Sequence, residues 1–504
     1  MQTAPTEAAP VPARSVWRPA LLVGAASGLV VFVWLVLANR QLIASPIIEE
    51  GDFAANSILV DRAEQFRLLV GNYSRVGFNH PGPALLYAQA FGDMIVHRWL
   101  GLAPSSYSGQ FTGILALNSF CIGAAAGLMR AVSGRWTAAL ALVALVPVIH
   151  VWQPYALATT WMPGVYIAPF LLLVVAAAAV AGAHWGCLWA LIAGASLCVH
   201  GHVSFVMFAG LLSVLALVAG FVRVRRGAPG PRVAHLIWAG VVLVLFLSPL
   251  VVNLVLHWPG EFDKYLQFVG SDAGFVPRTA GDVAGFTAGY WLRSGWWMVA
   301  LYVVAIALTV VARIADPKNV GARFRLDVVL MVAAATAAFA FYAARGVDNL
   351  SFDYVGWFIL AGPLLVLWAG LDAVFDVLER QRERVGRLTA AGVAVVLAAV
   401  LLLVGVSANP YRGLTPATTA AMPDGDVRLT FTEAGWPAAL GLVENARREG
   451  HQVCVEGQSW ALIVTPAVVC TPESPGEPIE VLGPSQPRPP QVIFDDGYTA
   501  LVAN

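Results

Sequence analysis

Apolar runs long enough to cross a bilayer recur from near residue 17 to residue 406, and charge is confined to the stretches between them. A hydrocarbon core about 30 Å thick needs about 20 apolar residues as a helix, the only open-chain form that satisfies its own backbone in lipid. That pattern predicts a polytopic all-α membrane bundle. Composition agrees: of 504 residues, 58% are hydrophobic and 12% charged, whereas a soluble domain carries roughly twice that charge. About eleven spans are expected, near 17–38, 109–129, 136–152, 164–182, 185–200, 203–222, 234–256, 295–313, 326–344, 355–376 and 388–406. The first is too long for a signal-peptide core and lacks a small-residue cleavage site, so it reads as a retained helix.

A formal net charge of zero hides a strong segregation of sign. Arg14 and Arg18 precede the first span, and Arg130 and Arg135 follow the second. Arg223, Arg225, Arg226 and Arg232 follow the sixth, and Arg313, Lys318, Arg323 and Arg325 the eighth. Arg380, Arg382, Arg384 and Arg387 follow the tenth. With eleven spans all of these fall on one side, which the positive-inside bias marks as cytoplasmic. The expected topology is N-in and C-out. Residues 39–108, residues 257–294 and the tail from 407 are then extracytoplasmic. Cys454 and Cys470 lie in that tail, where an oxidising compartment permits a disulfide, while Cys121, Cys187 and Cys198 lie in spans.

Within this plan residues 1–16, rich in Pro and Ala, are expected to be disordered, and 17–406 to form the membrane domain. Ala54–Val70 has the spacing of a helix lying along the membrane surface. Residues 83–102 are expected to form a second surface or re-entrant helix, because a twelfth span would reverse every later basic loop. The tail, 407–504, reads as a small α+β domain. Strands are expected at Val427–Phe431, Gln452–Glu456, Trp460–Val464 and Val492–Phe494, a helix at Trp436–Arg448, and a Pro/Glu-rich linker over Pro472–Pro490. No P-loop, dinucleotide fingerprint or zinc-finger spacing occurs, which argues against a nucleotide-driven pump, and nothing points to nucleic acid.

Water-facing chemistry is most naturally placed in the first outer loop. It holds Glu49, Glu50 and Asp52, then Asn79-His80-Pro81-Gly82-Pro83 leading into Leu85-Leu86-Tyr87. The bland reading is that the three acids are solvated loop charges and that His80 is a turn residue. Arg75, Lys264, Arg278, Arg293 and Arg345 run against the positive-inside bias, so each needs an anion, whether a lipid headgroup or a substrate phosphate. His200-Gly201-His202 sits where two spans meet; an i, i+2 pair does not share a helix face, so a divalent metal there would need a turn. Asp348-Asn349 and Asp353-Tyr354 could bind sugar hydroxyls, as could Trp152, Trp161, Trp258, Trp291, Trp296 and Trp297, although interfacial Trp needs no ligand to explain it. Glu261-Phe262-Asp263-Lys264 could belong to a lid.

The layout of an inward N-terminus, a long acidic first outer loop, two juxtamembrane helices, a His-Pro turn, many spans and an outer tail domain resembles the membrane-embedded GT-C glycosyltransferases. These include protein mannosyltransferases, aminoarabinose transferases and arabinosyltransferases. His80-Pro81-Gly82-Pro83 with Leu86-Tyr87 is similar to their His-Pro-Pro-Leu-Tyr stretch, with Gly82 in place of the second Pro. The resemblance implies a multi-pass enzyme of the bacterial inner membrane that takes a sugar from a polyprenyl-phosphate donor and passes it, with inversion, to an envelope glycan, lipid or protein. It implies an acidic base in the first outer loop, Asp52, with Glu50 and Glu49 as alternatives. His80, Arg75, Arg293 and Arg345 would then meet the donor phosphate, and His200, His202, Asp348, Asp353 and Tyr354 the substrates. The rival readings are a flippase or transporter of envelope precursors, and a non-catalytic membrane scaffold. The proposed spans hold almost no mid-span ionisable residue of the kind a transport path requires.

Overall fold

The computed structural model describes residues 14–270, 277–381, 411 and 413–503, with scattered positions between 388 and 399. The chain is a multi-pass membrane protein. Among the described residues eight helices are long and apolar enough to cross a bilayer: Trp17–Ala38, Ser106–Ser133, Met162–Ala181, Phe205–Arg225, Val233–Leu256, Met298–Ala315, Val320–Arg345 and Asp353–Gln381. Two shorter apolar helices, Trp136–Trp152 and Trp185–Gly201, lie among them. These ten segments match the first ten expected spans. The eleventh, 388–406, falls largely outside the described residues, as does the N-terminal stretch expected to be disordered.

The helices α1 (Arg14–Ala38), α2 (Gly51–Glu64), α3 (Ala84–Gly92) and α4 (Ser106–Ser133) build the half of the bundle that carries the first loop. Close helix contact in lipid depends on small residues, because apolar surface gains nothing by leaving apolar lipid. Gly24 and Gly28 of α1 face Gly123 and Gly127 of α4 across such a seam. A Cβ at Gly123 would stand 2.7 Å from the Gly24 carbonyl oxygen. Helix α5 (Ile167–Ala181) is buried along its whole length, as its run of Ala176–Ala179 permits. By contrast α6 (Val233–Leu256) buries only Ala239 and leaves its Val and Leu side chains for lipid.

At one end of the bundle, Arg325, fully buried, meets Asp372 at 2.8 Å and Asp376 at 2.8 Å. Arg135 joins both carboxylates, and Arg223 grips Asp327 with two bonds of 2.7 Å. At the opposite end stands the sheet domain, of strand order β2-β1-β3-β5-β4. Here β1 (Val427–Phe431) lies between β2 (Val453–Val455) and β3 (Glu477–Leu482), parallel to both. Strand β5 (Ala500–Ala503) runs antiparallel to β3 and to β4 (Val492–Asp495). Helix α7 (Trp436–Arg448) covers one face, and Cys454 and Cys470 form a disulfide with Cα atoms 5.0 Å apart.

Three elements differ from expectation. Trp460–Val464 is helical rather than extended, split between short turns at Gln458–Trp460 and Ala461–Val464. The stretch read as a Pro/Glu-rich linker contains β3, a central strand, because Ile479 and Val481 alternate inward while Pro478 and Glu480 do not. Helix α2 is not a surface helix with one wet face: nine of its residues are buried. Ala54, Ala55 and Ile58 pack into the sheet-domain core, and Leu59 and Val60 into the bundle core. Residues 84–99 form α3 and a π-helical turn, Asp93–Trp99, lodged where Gly92 meets Gly109 and Gly113 of α4.

Candidate functional site

The three acids after α1 have three separate environments, set by where α2 begins. Glu49 is buried, accepts a 2.9 Å bond from Ser57 and is paired at 3.0 Å with Arg448 of α7. That is a structural clamp between the bundle and the sheet domain. Glu50 caps α2, and its backbone N–H donates to the Tyr411 hydroxyl at 2.8 Å; burial, then the charge of Asp496, pushes its carboxyl above the usual range. Asp52, in the first turn of α2, is half-buried. It accepts from the Tyr73 hydroxyl on one oxygen and from Trp161 Nε1 at 2.8 Å on the other. Both donors are neutral, and a carboxylate has about four lone-pair sites, so Asp52 keeps accepting capacity. Burial and the Asp52 charge push the Tyr73 phenol up, so it stays protonated.

Tyr73 is placed by a tight hairpin. Gly71 N–H donates to the His80 carbonyl and His80 N–H to the Asn72 carbonyl, both at 2.8 Å, and Ser74 N–H closes on Phe78. The hairpin aims Tyr73 at Asp52 on one side and sets His80 against His202 on the other, with ring centroids 4.2 Å apart. His80 is buried, its Nδ1 meets no hydrogen-bonding partner, and burial followed by His202 holds it well below its ordinary pKa. His202 bonds Ser204 Oγ at 2.8 Å through Nδ1; burial, then the charge of Arg75, lowers it to about 4. A neutral, tilted imidazole pair therefore backs the hairpin on the side away from Asp52.

Gly82 explains the departure from the His-Pro-Pro pattern. A Cβ there would lie 2.3 Å from Nδ1 of His200, and that nitrogen accepts the Ala84 N–H at the start of α3 at 3.3 Å. The His200 ring occupies the space of any side chain at 82. His200 thus braces the turn, and His202 faces the hairpin. Neither shares a ligand geometry with the other, and no group of three or more His, Cys, Asp or Glu able to hold a metal occurs among the described residues.

The basic residues divide likewise. Arg75, at the hairpin tip, pairs with Asp348 at 2.5 Å and lies 4.9 Å from the Phe352 ring centroid. Arg278 donates to the backbone carbonyls of Val347 and Asp348. One guanidinium thus meets the Asp348 carboxylate and the other the backbone carbonyls beside it, so two positive charges face a single carboxylate charge. Arg293 pairs with Asp353 at 2.9 Å and stands over the Tyr290 ring, so those two candidates engage each other. Arg345 is exposed at the C-terminus of Val320–Arg345. Tyr354 packs on Trp161 with centroids 4.9 Å apart, beside the Asp52 contact. Glu261 accepts the Asn79 N–H at 2.8 Å and Tyr265 donates to the Asn79 carbonyl, so the helix Glu261–Gly270 lies over the hairpin. Sequence reasoning missed Tyr73 and Arg448: neither carries a spacing signal, since one works through a turn and the other through a contact 399 positions away.

No protein-family model and no curated protein sequence matches the chain. Its fold does match solved structures. ArnT from Cupriavidus metallidurans in the apo state superposes with a TM-score of 0.58 at 14% identity, covering 97% of this chain and 98% of that one. ArnT from the same organism bound to undecaprenyl phosphate superposes at 0.54 with 15% identity, covering 96% and 97%. The expected membrane bundle with a small α+β tail domain is therefore the fold found, and it is shared along almost the whole chain with these structures.

Proposed function

We propose that the protein is a membrane glycosyltransferase that moves a sugar from a polyprenyl-phosphate donor to an acceptor outside the cytoplasmic membrane, with Asp52 as general base. The observation that carries this is the setting of Asp52: a half-buried carboxylate at the start of α2, held by Tyr73 and Trp161, with the His80–His202 pair on the other side of the same hairpin. The nearby cationic spot of Arg75 and Arg278 supports the assignment. Similarity in fold to ArnT, one structure of which holds undecaprenyl phosphate, supports the donor class.

In this reading the acceptor hydroxyl attacks the anomeric carbon from the face opposite the lipid phosphate. The new glycosidic C–O bond forms as the C–O bond to phosphate breaks, and the hydroxyl proton passes to Asp52. The lipid phosphate departs as an anion, met by Arg75 and Arg278 as they loosen from Asp348. Glu49 is committed to Arg448, Glu50 joins the start of α2 through its backbone, and Asp52 is the acid that Tyr73 and Trp161 orient, which favours it among the three. The outer aromatic residues Trp161 and Tyr354 supply a flat surface for the sugar ring. Residues 17–406 would hold the reaction centre and residues 407–504 would cover it, on the side of the membrane opposite the Arg-rich loops.

The test is Asp52→Asn in purified full-length protein, with a polyprenyl-phosphate sugar donor and cell-envelope extract as acceptor. Transfer should fall by about 10² to 10⁴-fold, the usual contribution of a general base, while stability changes by no more than about 1–2 kcal/mol. Transfer at the normal rate by the Asn variant would remove Asp52 from the base role.

A further inference from the structure

A cavity of about 810 Å³ lies on the far side of α2 from its catalytic first turn, between that helix, the outer end of α6 and the sheet domain. Arg62, Arg67 and Arg447 line it, together with Asp61, Asn253 and His257. Among the described residues none of the three arginine side chains makes a hydrogen bond or ion pair, in contrast to Arg75, Arg293 and Arg448 on the same face of the molecule. Asp61 is drawn away from them: burial pushes its carboxyl up, and the groups acting on it are Arg448, Glu444, Arg98 and Asp93 rather than the three arginines. Three exposed guanidinium groups on one concave surface make it locally positive and attract an anion.

The position of the cavity limits what that anion is attached to. Asn253 and His257 close the end of α6, where Val255 is 76% and Leu256 63% exposed and lie against lipid. The mouth therefore opens at the boundary between hydrocarbon and water. The volume falls in the range of small-molecule sites, roughly 300–1,000 Å³. An occupant with a charged head and an apolar tail satisfies both halves.

We propose that this cavity binds the phosphate-bearing headgroup of a membrane-anchored molecule, held by Arg62, Arg67 and Arg447. The assignment stands on the cavity and does not depend on the role given to Asp52, from which Arg62 is separated by about 15 Å of helix rise.

The test uses full-length protein in neutral detergent, with binding read by native mass spectrometry against phosphatidylglycerol, phosphatidylcholine and inorganic phosphate. Wild type should prefer phosphatidylglycerol to phosphatidylcholine. Substituting each arginine with Gln should weaken binding about tenfold, the effect expected for losing one charge-assisted contact; the triple variant should lose the preference, and a triple Lys variant should retain part of it. If inorganic phosphate displaces the lipid, the headgroup alone carries the affinity; if it does not, the acyl chains contribute beside α6. Either result supports the site. Equal binding of the two lipids by wild type, or a triple Gln variant that still discriminates, would overturn it. Because Asp52→Asn leaves these arginines in place, loss of transfer without loss of lipid preference separates this inference from the proposed reaction.

Discussion

Gly82 and His200 form the most constrained contact at the scale of single residues. Gly82→Ala puts a methyl group 2.3 Å from the His200 ring, an overlap of the kind that costs about 1–3 kcal/mol in a packed site. We expect a lowered melting temperature and reduced activity, both partly restored by His200→Ala, since a double-mutant cycle exposes the shared contact. No restoration would mean that the turn needs glycine for another reason. His202 sets a pH limit. Its ordinary pKa of 6.5 is lowered to about 4 in the folded chain by burial and Arg75, with the His80 ring tilted against it. The unfolded chain then binds more protons between those values, so stability is full above pH 6.5 and declines as pH falls toward 4. The loss is at most on the order of 3 kcal/mol. Thermal melts from pH 7.5 to 4 should show that decline, and His202→Gln should lessen it, leaving the share that His80 carries. The hairpin that brings these groups together was legible in the sequence only as a His-Pro turn. The partners of that turn come from segments more than a hundred residues away, which one-dimensional spacing does not record.

Among the elements, the spans were readable because lipid demands length and uniform apolarity, and both are local properties. The same reasoning failed for β3, where Pro478 and two Glu residues masked an inward Ile479–Val481 alternation that only a sheet on both sides explains. It also placed α2 on a membrane surface, because amphipathic spacing reports that a face is buried but not what buries it. The sheet domain does so, and Arg448 fixes the contact by pairing with Glu49 of the loop and Glu444 of its own helix, both buried. Replacing one partner of a buried pair leaves uncompensated charge and typically costs about 3–5 kcal/mol. Arg448→Met should therefore loosen the sheet domain from α2, seen as faster proteolysis within 411–435 and a lower melting temperature. If Glu49→Gln is added, part of the loss should return, because one orphaned carboxylate is removed. A variant as resistant as wild type would show that apolar packing of Ala54, Ala55 and Ile58 alone holds the joint.

At the scale of the whole molecule, the placing of charge bears on which end of the bundle faces the cytoplasm. The ion-pair end, with Arg135, Arg223 and Arg325, and the sheet-domain end, with Asp52 and the hairpin, are opposite. A polyprenyl-phosphate sugar used for envelope assembly is consumed on the outer side, so the proposed reaction requires the sheet domain there. The Arg-rich loops give the same orientation through the positive-inside bias. Thiol labelling checks both at once, and the chain suits it: Cys121, Cys187 and Cys198 are buried and Cys454 is bonded to Cys470, so background labelling is low. Glu473→Cys places an exposed thiol on the sheet domain, and Lys318→Cys places one in the loop joining the Met298–Ala315 and Val320–Arg345 helices. A membrane-impermeant maleimide should label the first in intact cells with only the peptidoglycan-containing envelope made accessible, and the second only after the cytoplasmic membrane is opened. The reverse pattern would place Asp52 on the cytoplasmic side, away from an outward-facing lipid-linked donor. Labelling of both in intact cells would mean that the chain lacks a single orientation, and an arginine asymmetry spread over so many loops would then have no effect on insertion.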